Sequence, residues 1–229
     1  MWDNQKTVPS TGSNIMMRVY VWMSFALVLT AAVAYWCAST PAVYQTIFSN
    51  SWLIFVLFIF QLVLVVALSM FLERMSAALA MILFIVYALS LGLTLSSIFL
   101  VFTQTSIFAT FLVTAGMFGA MAAYGYFTNS DLTSIGSFGY MALIGLIIGG
   151  VVNLFLRSET FQYIISACGV LLFTLLTAYD VQKIKRMTTD LAADGATLTK
   201  VAILGALTLY LDFVNLFLYL LQFMGRRRD

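Results

Sequence analysis

Seven predominantly apolar stretches, each long enough to cross a membrane, run through this chain: 15–38, 52–72, 76–101, 107–127, 138–156, 161–182 and 201–223. About 20 such residues span the hydrocarbon core of a bilayer as a helix. In lipid the backbone groups must be satisfied internally, which leaves helices and closed barrels. These runs are rich in Leu, Phe, Met and Ala and lack the polar alternation of barrel strands. The expected fold is therefore an all-α membrane protein of seven transmembrane helices. Composition agrees: 62% of the 229 residues are hydrophobic and 9% are charged, against about 45–50% and 25% in soluble domains.

The connections between runs are short, so one membrane domain is expected over 15–225. A short N-terminal tail (1–14) precedes it and a basic tail (226–229) follows. No internal repeat is evident. The longest connection is read as 183–200, and Ser39 to Ser51, with Pro41, as a loop. The run from Val19 to Ala38 exceeds the roughly 7–15 residues of a signal core and is read as a retained first helix. Topology follows the Lys and Arg bias. With the N-terminus inside, Lys6, Arg18, Arg74, Lys183, Lys185, Arg186 and Lys200 face the cytoplasm, and Arg157, Arg226, Arg227 and Arg228 lie outside. The positive clusters flank apolar runs, which suits topology and not nucleic-acid binding. Cys37 and Cys168 read as packing residues without a disulfide. The absence of histidine removes imidazole metal sites and histidine triads.

Two acids break the apolar pattern. In "TLYLDFVNLF" the carboxylate of Asp212 stands about 11 residues, roughly 16 Å, into the last run. In "LLTAYDVQKIK" Asp180 lies about 7 residues, roughly 10 Å, from the helix end, provided the helix continues through "VQKIKRM". An acid at such depth costs roughly 2.5–3.5 kcal/mol on insertion scales, so it should face the bundle interior with a partner. The sixth and seventh helices are consecutive and antiparallel, which makes them expected neighbours. Two carboxylates in contact in a poorly hydrated site cannot both ionise cheaply. They share a proton and titrate as a unit. Deprotonation would force like charges together and push the helices apart, and a cation would draw them back. Carboxylate oxygens also suit weak, transient calcium contact. The bland alternative pairs Asp180 with Lys183 or Lys185 at the mouth of its helix.

Further polar and small residues are candidates for support. Asn215, one turn from Asp212, can hydrogen-bond it or a neighbouring helix, and Asn153 is similar. Tyr179 and Tyr210 can offer hydroxyls to the acids or serve as core. Glu73 and Arg74 cap a corner or supply a latch to the acidic pair. Arg18 is expected to snorkel. Gly145 and Gly149 in "GLIIGG", and Gly116 in the small-residue run 115–125, read as helix-packing positions within the chain or at a dimer face.

The motifs "LTAYDVQKIK" and "ILGALTLYLDFVNLFLYLLQFMG", with "GLTLSSIF" and "TAGMFGAMAAYGY" upstream, resemble the Bax-inhibitor (TMBIM) family of membrane proteins over about 15–225. The short loops resemble bacterial inner-membrane members. That resemblance implies a seven-helix fold with a central last helix, a pH-sensitive calcium leak and protection against cell stress. It implies that Asp180 and Asp212 are the proton-sensing pair. An arginine near the end of the second helix would latch the closed pore, and Arg74 is the candidate. It implies no enzyme activity and no cofactor, calcium being the permeant ion. Some bacterial relatives restrain a membrane-anchored ATP-dependent protease, which makes such a protease a possible partner and regulation without transport the alternative function.

Paired aspartates on consecutive membrane helices are also the mark of intramembrane aspartyl proteases, where a shared proton activates water. Here Leu209-Tyr210-Leu211-Asp212 lacks both glycines of the expected Gly-x-Gly-Asp motif. The later Pro-Ala-Leu motif is missing, since the only prolines are Pro9 and Pro41.

Overall fold

The apolar runs do become helices. The structure is a computed structural model that describes the backbone of residues 10–190 and 195–228, and the side chains of these apart from 10–14, 73, 188–190 and 195–196. In order the elements are α1 (Ser10–Ser39), α2 (Pro41–Phe48), α3 (Ser51–Met70), a 3-10 turn (Leu72–Arg74), α4 (Ala77–Leu95), α5 (Ile98–Val101), α6 (Gln104–Phe127), α7 (Thr133–Leu156), α8 (Glu159–Asp190) and α9 (Gly195–Met224). Among the described residues seven spans are long and apolar enough to cross a membrane: α1, α3, α4 with α5, α6, α7, α8 and α9. No strand occurs among the described residues. One isolated antiparallel bridge joins Phe102 to Arg227.

Burial ranks the helices. In α9, 67% of the apolar window is buried and in α8 56%, against 17% in α3 and in α7. The last helix is the axis of the bundle, with α8, α1, α6 and α4 packed on it. Its buried residues, among them Ile203, Leu207, Tyr210, Leu216 and Leu221, cover most of its circumference, and the remaining stripe, Leu204, Thr208, Leu211 and Asn215, is still half-buried, as expected of a helix largely surrounded by others. A polar node ties three spans together. The Thr30 hydroxyl donates to the Ala88 carbonyl at 2.9 Å and lies 2.6 Å from the Tyr210 hydroxyl. The single Thr30 proton is engaged by Ala88, so Tyr210 is the donor. The rings of Phe84 and Tyr87 stand edge-on to Tyr210 at 5.9 and 6.0 Å.

Four expectations about the fold change. The loop after the first span contains α2, with Pro41 at a first-turn position where its missing N–H costs nothing. The third span breaks between α4 and α5. There the Ser96 and Ser97 hydroxyls donate back to Leu93 and Thr94, and the ladder tightens to three-residue steps such as Phe99 N–H to Ser96 O, a local 3-10 geometry. The long connection after the sixth span shrinks, because α8 runs to Asp190 and α9 begins at Gly195. Only 191–194 separate them, and these lie outside the described residues, as does most of the 1–14 tail.

The glycine expectation is the fourth. A Cβ placed on Gly116 or Gly145 would meet nothing within 4 Å, so neither packs helices within the chain, and Gly149 makes only ordinary contact with Ile165 and Phe161. The tight crossings are elsewhere. A Cβ on Gly125 would run into the Ala178 backbone of α8, and one on Gly136 into the Tyr179 ring. Small-residue spacing identifies helices that can approach closely but not which side does so. Both cysteines are free, Cys37 buried and Cys168 exposed.

Candidate functional site

Asp180 belongs to a buried stripe of α8 that includes Phe173, Thr177, Val181 and Ile184. The three- and four-residue spacing puts these on one helix face, and that face meets α9. Asp212 comes from α9, between the buried residues Leu209 and Phe213. Each aspartate is 5% exposed. Their side chains are in hydrogen-bonding contact with each other. Two carboxyl groups can share a hydrogen bond only when one carries a proton. Asp212 Oδ2 is buried and has no hydrogen-bond partner, the one such side-chain atom among the described residues. A buried oxygen left unsatisfied costs about 1–3 kcal/mol, so the proton shared with Asp180 is what makes this pair tolerable inside a greasy interface. Among the described residues no group of three acids or cysteines gathers. A cation at the pair would therefore meet two carboxylates and complete its shell with water.

The supporting cast differs from expectation. Asn215 donates its amide to Leu211 O, the carbonyl one turn back in its own helix, at 2.8 Å. Tyr210 points to Thr30: it is two residues, about 200° of helix, away from Asp212, so its hydroxyl serves α1 and α4 instead. Tyr179 lies against Gly136 of α7, with the Lys183 ammonium 5.9 Å from its ring centre. Lys183 is within electrostatic range of Asp180 without forming an ion pair with it, and within range of Tyr140 of α7. Lys185 turns away to the Tyr126 carbonyl at 2.6 Å. Asn153 Nδ2 donates to Gln162 Oε1. Arg18 and Arg74 are exposed, and Arg74 holds no ion pair among the described residues. The Glu73 side chain lies outside them.

Sequence reasoning passed over Gln182, two residues beyond Asp180. Its Oε1 accepts from Leu132 N at 3.0 Å and its Nε2 donates to Ser130 O at 2.8 Å. One buried amide thus clamps the connection between α6 and α7 to the end of α8. Beside it, Arg186 pairs with Asp131 at 3.0 Å. The Asp131 carboxyl is held below its usual range, first by the hydroxyl of Thr133, then by the Thr133 N–H and by Arg186. The readable signal was an amide in an apolar run, adjacent to the acid.

Residues 12–229 match the profile of the family described as inhibitor of apoptosis-promoting Bax1. The chain is 49% identical to the inner membrane protein YbhL of Escherichia coli K12, over 93% of this chain and 92% of that protein. It is 44% identical to an uncharacterized protein of Borreliella burgdorferi, over 95% and 94%. With protein RP147 of Rickettsia prowazekii it shares 42%, over the full length of both. The chain is a multi-pass membrane protein and belongs to the Bax inhibitor family.

Proposed function

We propose that the protein is a slow calcium leak of the bacterial inner membrane, with its N-terminus on the cytoplasmic side, and that the proton shared by Asp180 and Asp212 gates it. The observation that carries this reading is the contact between two buried carboxyl groups, one of which keeps an oxygen without a partner. With the proton in place, α8 and α9 are joined by a hydrogen bond. Without it, two like charges face each other in a poorly hydrated interface, where their repulsion is strong, and the helices separate. A divalent cation entering the gap offsets that repulsion and finds oxygen ligands. Flux therefore rises as the shared proton is lost. A slow leak of this kind would relieve calcium load, which fits a stress-protective role. The protein acts in this reading as a conduit and not as an enzyme.

The test is calcium flux in vesicles that hold the full chain and a calcium dye, compared between roughly pH 6 and 8, a range typical of proton switches. The parent should leak more at the higher pH. Asp180→Asn and Asp212→Asn should lose that dependence. Identical flux and pH response in both variants would rule the gate out. No flux from any form, with a membrane protease still retained on the protein, would favour regulation by binding.

A further inference from the structure

The end of the bundle opposite the Gln182 clamp holds a polar cleft of about 720 Å³. Its walls come from the end of α7 (Asn153, Arg157), the first turns of α8 (Glu159, Gln162), the last turn of α9 (Gln222) and the tail (Arg227). Neither Arg157 nor Arg227 is in an ion pair among the described residues, and Glu159 at the rim is paired with neither.

The amides in this cleft form a one-way chain. Asn153 Oδ1 accepts from Ser158 N at 3.1 Å, and Asn153 Nδ2 donates to Gln162 Oε1 at 2.8 Å. Gln162 Nε2 donates to Gln222 Oε1, while the buried Ser166 hydroxyl donates to Gln162 O at 2.8 Å. All three amide oxygens are occupied. What remains at the end of the chain is the Gln222 NH₂, a donor. The cleft therefore presents two guanidinium groups and a free amide donor against the single carboxylate of Glu159, a net positive lining, and its amide acceptors are already used. That is a receptor for an anion.

Both arginines are held in place. Arg157 adopts the left-handed conformation, φ 50°, and closes α7 through its N–H to Asn153 O. The tail is pinned on either side of Arg227: Arg228 N donates to Val101 O at 2.9 Å, Thr103 N donates to Arg226 O at 3.1 Å, and Arg226 N donates to the Ser106 hydroxyl at 2.7 Å. Directly beside the cleft the surface turns apolar. Tyr163, itself in the cleft wall, and Phe223 are both exposed, and their rings meet edge-on at 6.4 Å, an aromatic pair of the kind found where a bilayer meets water. Guanidinium groups above and bare aliphatic and aromatic surface below match an amphiphile better than a soluble ion.

We propose that this cleft binds the phosphate of an anionic membrane lipid, with Arg157, Arg227 and the Gln222 amide on the headgroup and the acyl chains along Tyr163 and Phe223. The purified full chain, titrated with short-chain phosphatidylglycerol and read by native mass spectrometry, tests it. Arg157→Asn removes the charge and keeps a residue that tolerates the left-handed backbone, and Arg227→Gln removes the second charge. Each should weaken binding roughly tenfold, the factor lost with one charge-assisted contact. Arg226→Gln removes an equal charge from the same tail outside the cleft and should change little. Circular dichroism confirms that each variant is folded. Unchanged binding in both cleft variants overturns the proposal, as does an equal loss in Arg226→Gln. Displacement of the lipid by inorganic phosphate at matching concentration would make this a soluble-anion site and would likewise overturn it.

Discussion

Tyr210 and Asp212 stand two residues apart on the most buried helix of the molecule, yet their surroundings differ in kind. Tyr210 is wholly buried, and its hydroxyl completes a chain through Thr30 to the Ala88 carbonyl. Asp212 is nearly as buried and leaves one oxygen unmatched. The 200° between them sends one toward α1 and α4 and the other toward α8. Where every donor and acceptor is matched, a polar group fastens helices. Where one is left over, the interface has a second arrangement available to it. Under the proposed gating, the α1–α4–α9 side is static support and the α8–α9 side is the one that changes.

Substitutions can break or sharpen this contrast. The largest effect is expected from Tyr210→Ala, which empties the largest fully buried side chain and should cost about 3–5 kcal/mol in unfolding experiments in detergent. Tyr210→Phe keeps the ring and removes the donor. It should cost about 0.6–1.5 kcal/mol and leave the pH response of flux parallel to the parent. A flattened response in that variant would break the contrast. Asp212→Asn should change stability by less than about 1 kcal/mol, since the amide can still donate to Asp180, while its flux no longer follows pH. Asp131→Asn is the smallest. Because the folded Asp131 carboxyl is held below its usual range, its contribution is present at neutral pH and is lost as pH falls below the ordinary carboxylate range. Parent and variant should therefore converge in acid and differ slightly at pH 7, as read by thermal unfolding across that window.

Much of this was legible because lipid simplifies the code. Length and apolarity alone locate spans, and the cost of a buried acid predicts that Asp180 and Asp212 should find each other. What failed depended on direction around a helix. Nothing in the spacing of Gly116 and Gly145 tells which face meets a neighbour, whereas Gly125 and Gly136 do meet one. Proximity in sequence suggested Asn215 and Tyr210 as helpers of Asp212, but a carbonyl one turn back captured the first and helix rotation removed the second. Gln182 was missed because its role rests on two backbone groups of a distant connection, which no local pattern announces. The break at Ser96 was hidden because serine is tolerated in membrane helices and only its choice of back-bonded carbonyl bends them.

The length of α8 has a mechanical consequence. Its 32 residues extend roughly 48 Å at 1.5 Å per residue, well beyond the ~30 Å of hydrocarbon. One stiff rod thus carries Asp180 in the dry interior and, half a turn further, the amide that grips residues 130 and 132 at the wet surface. A piston stroke or tilt at the carboxyl groups would be transmitted to that surface without any intermediary, so an outside observer could sense the state of the interior by watching a loop.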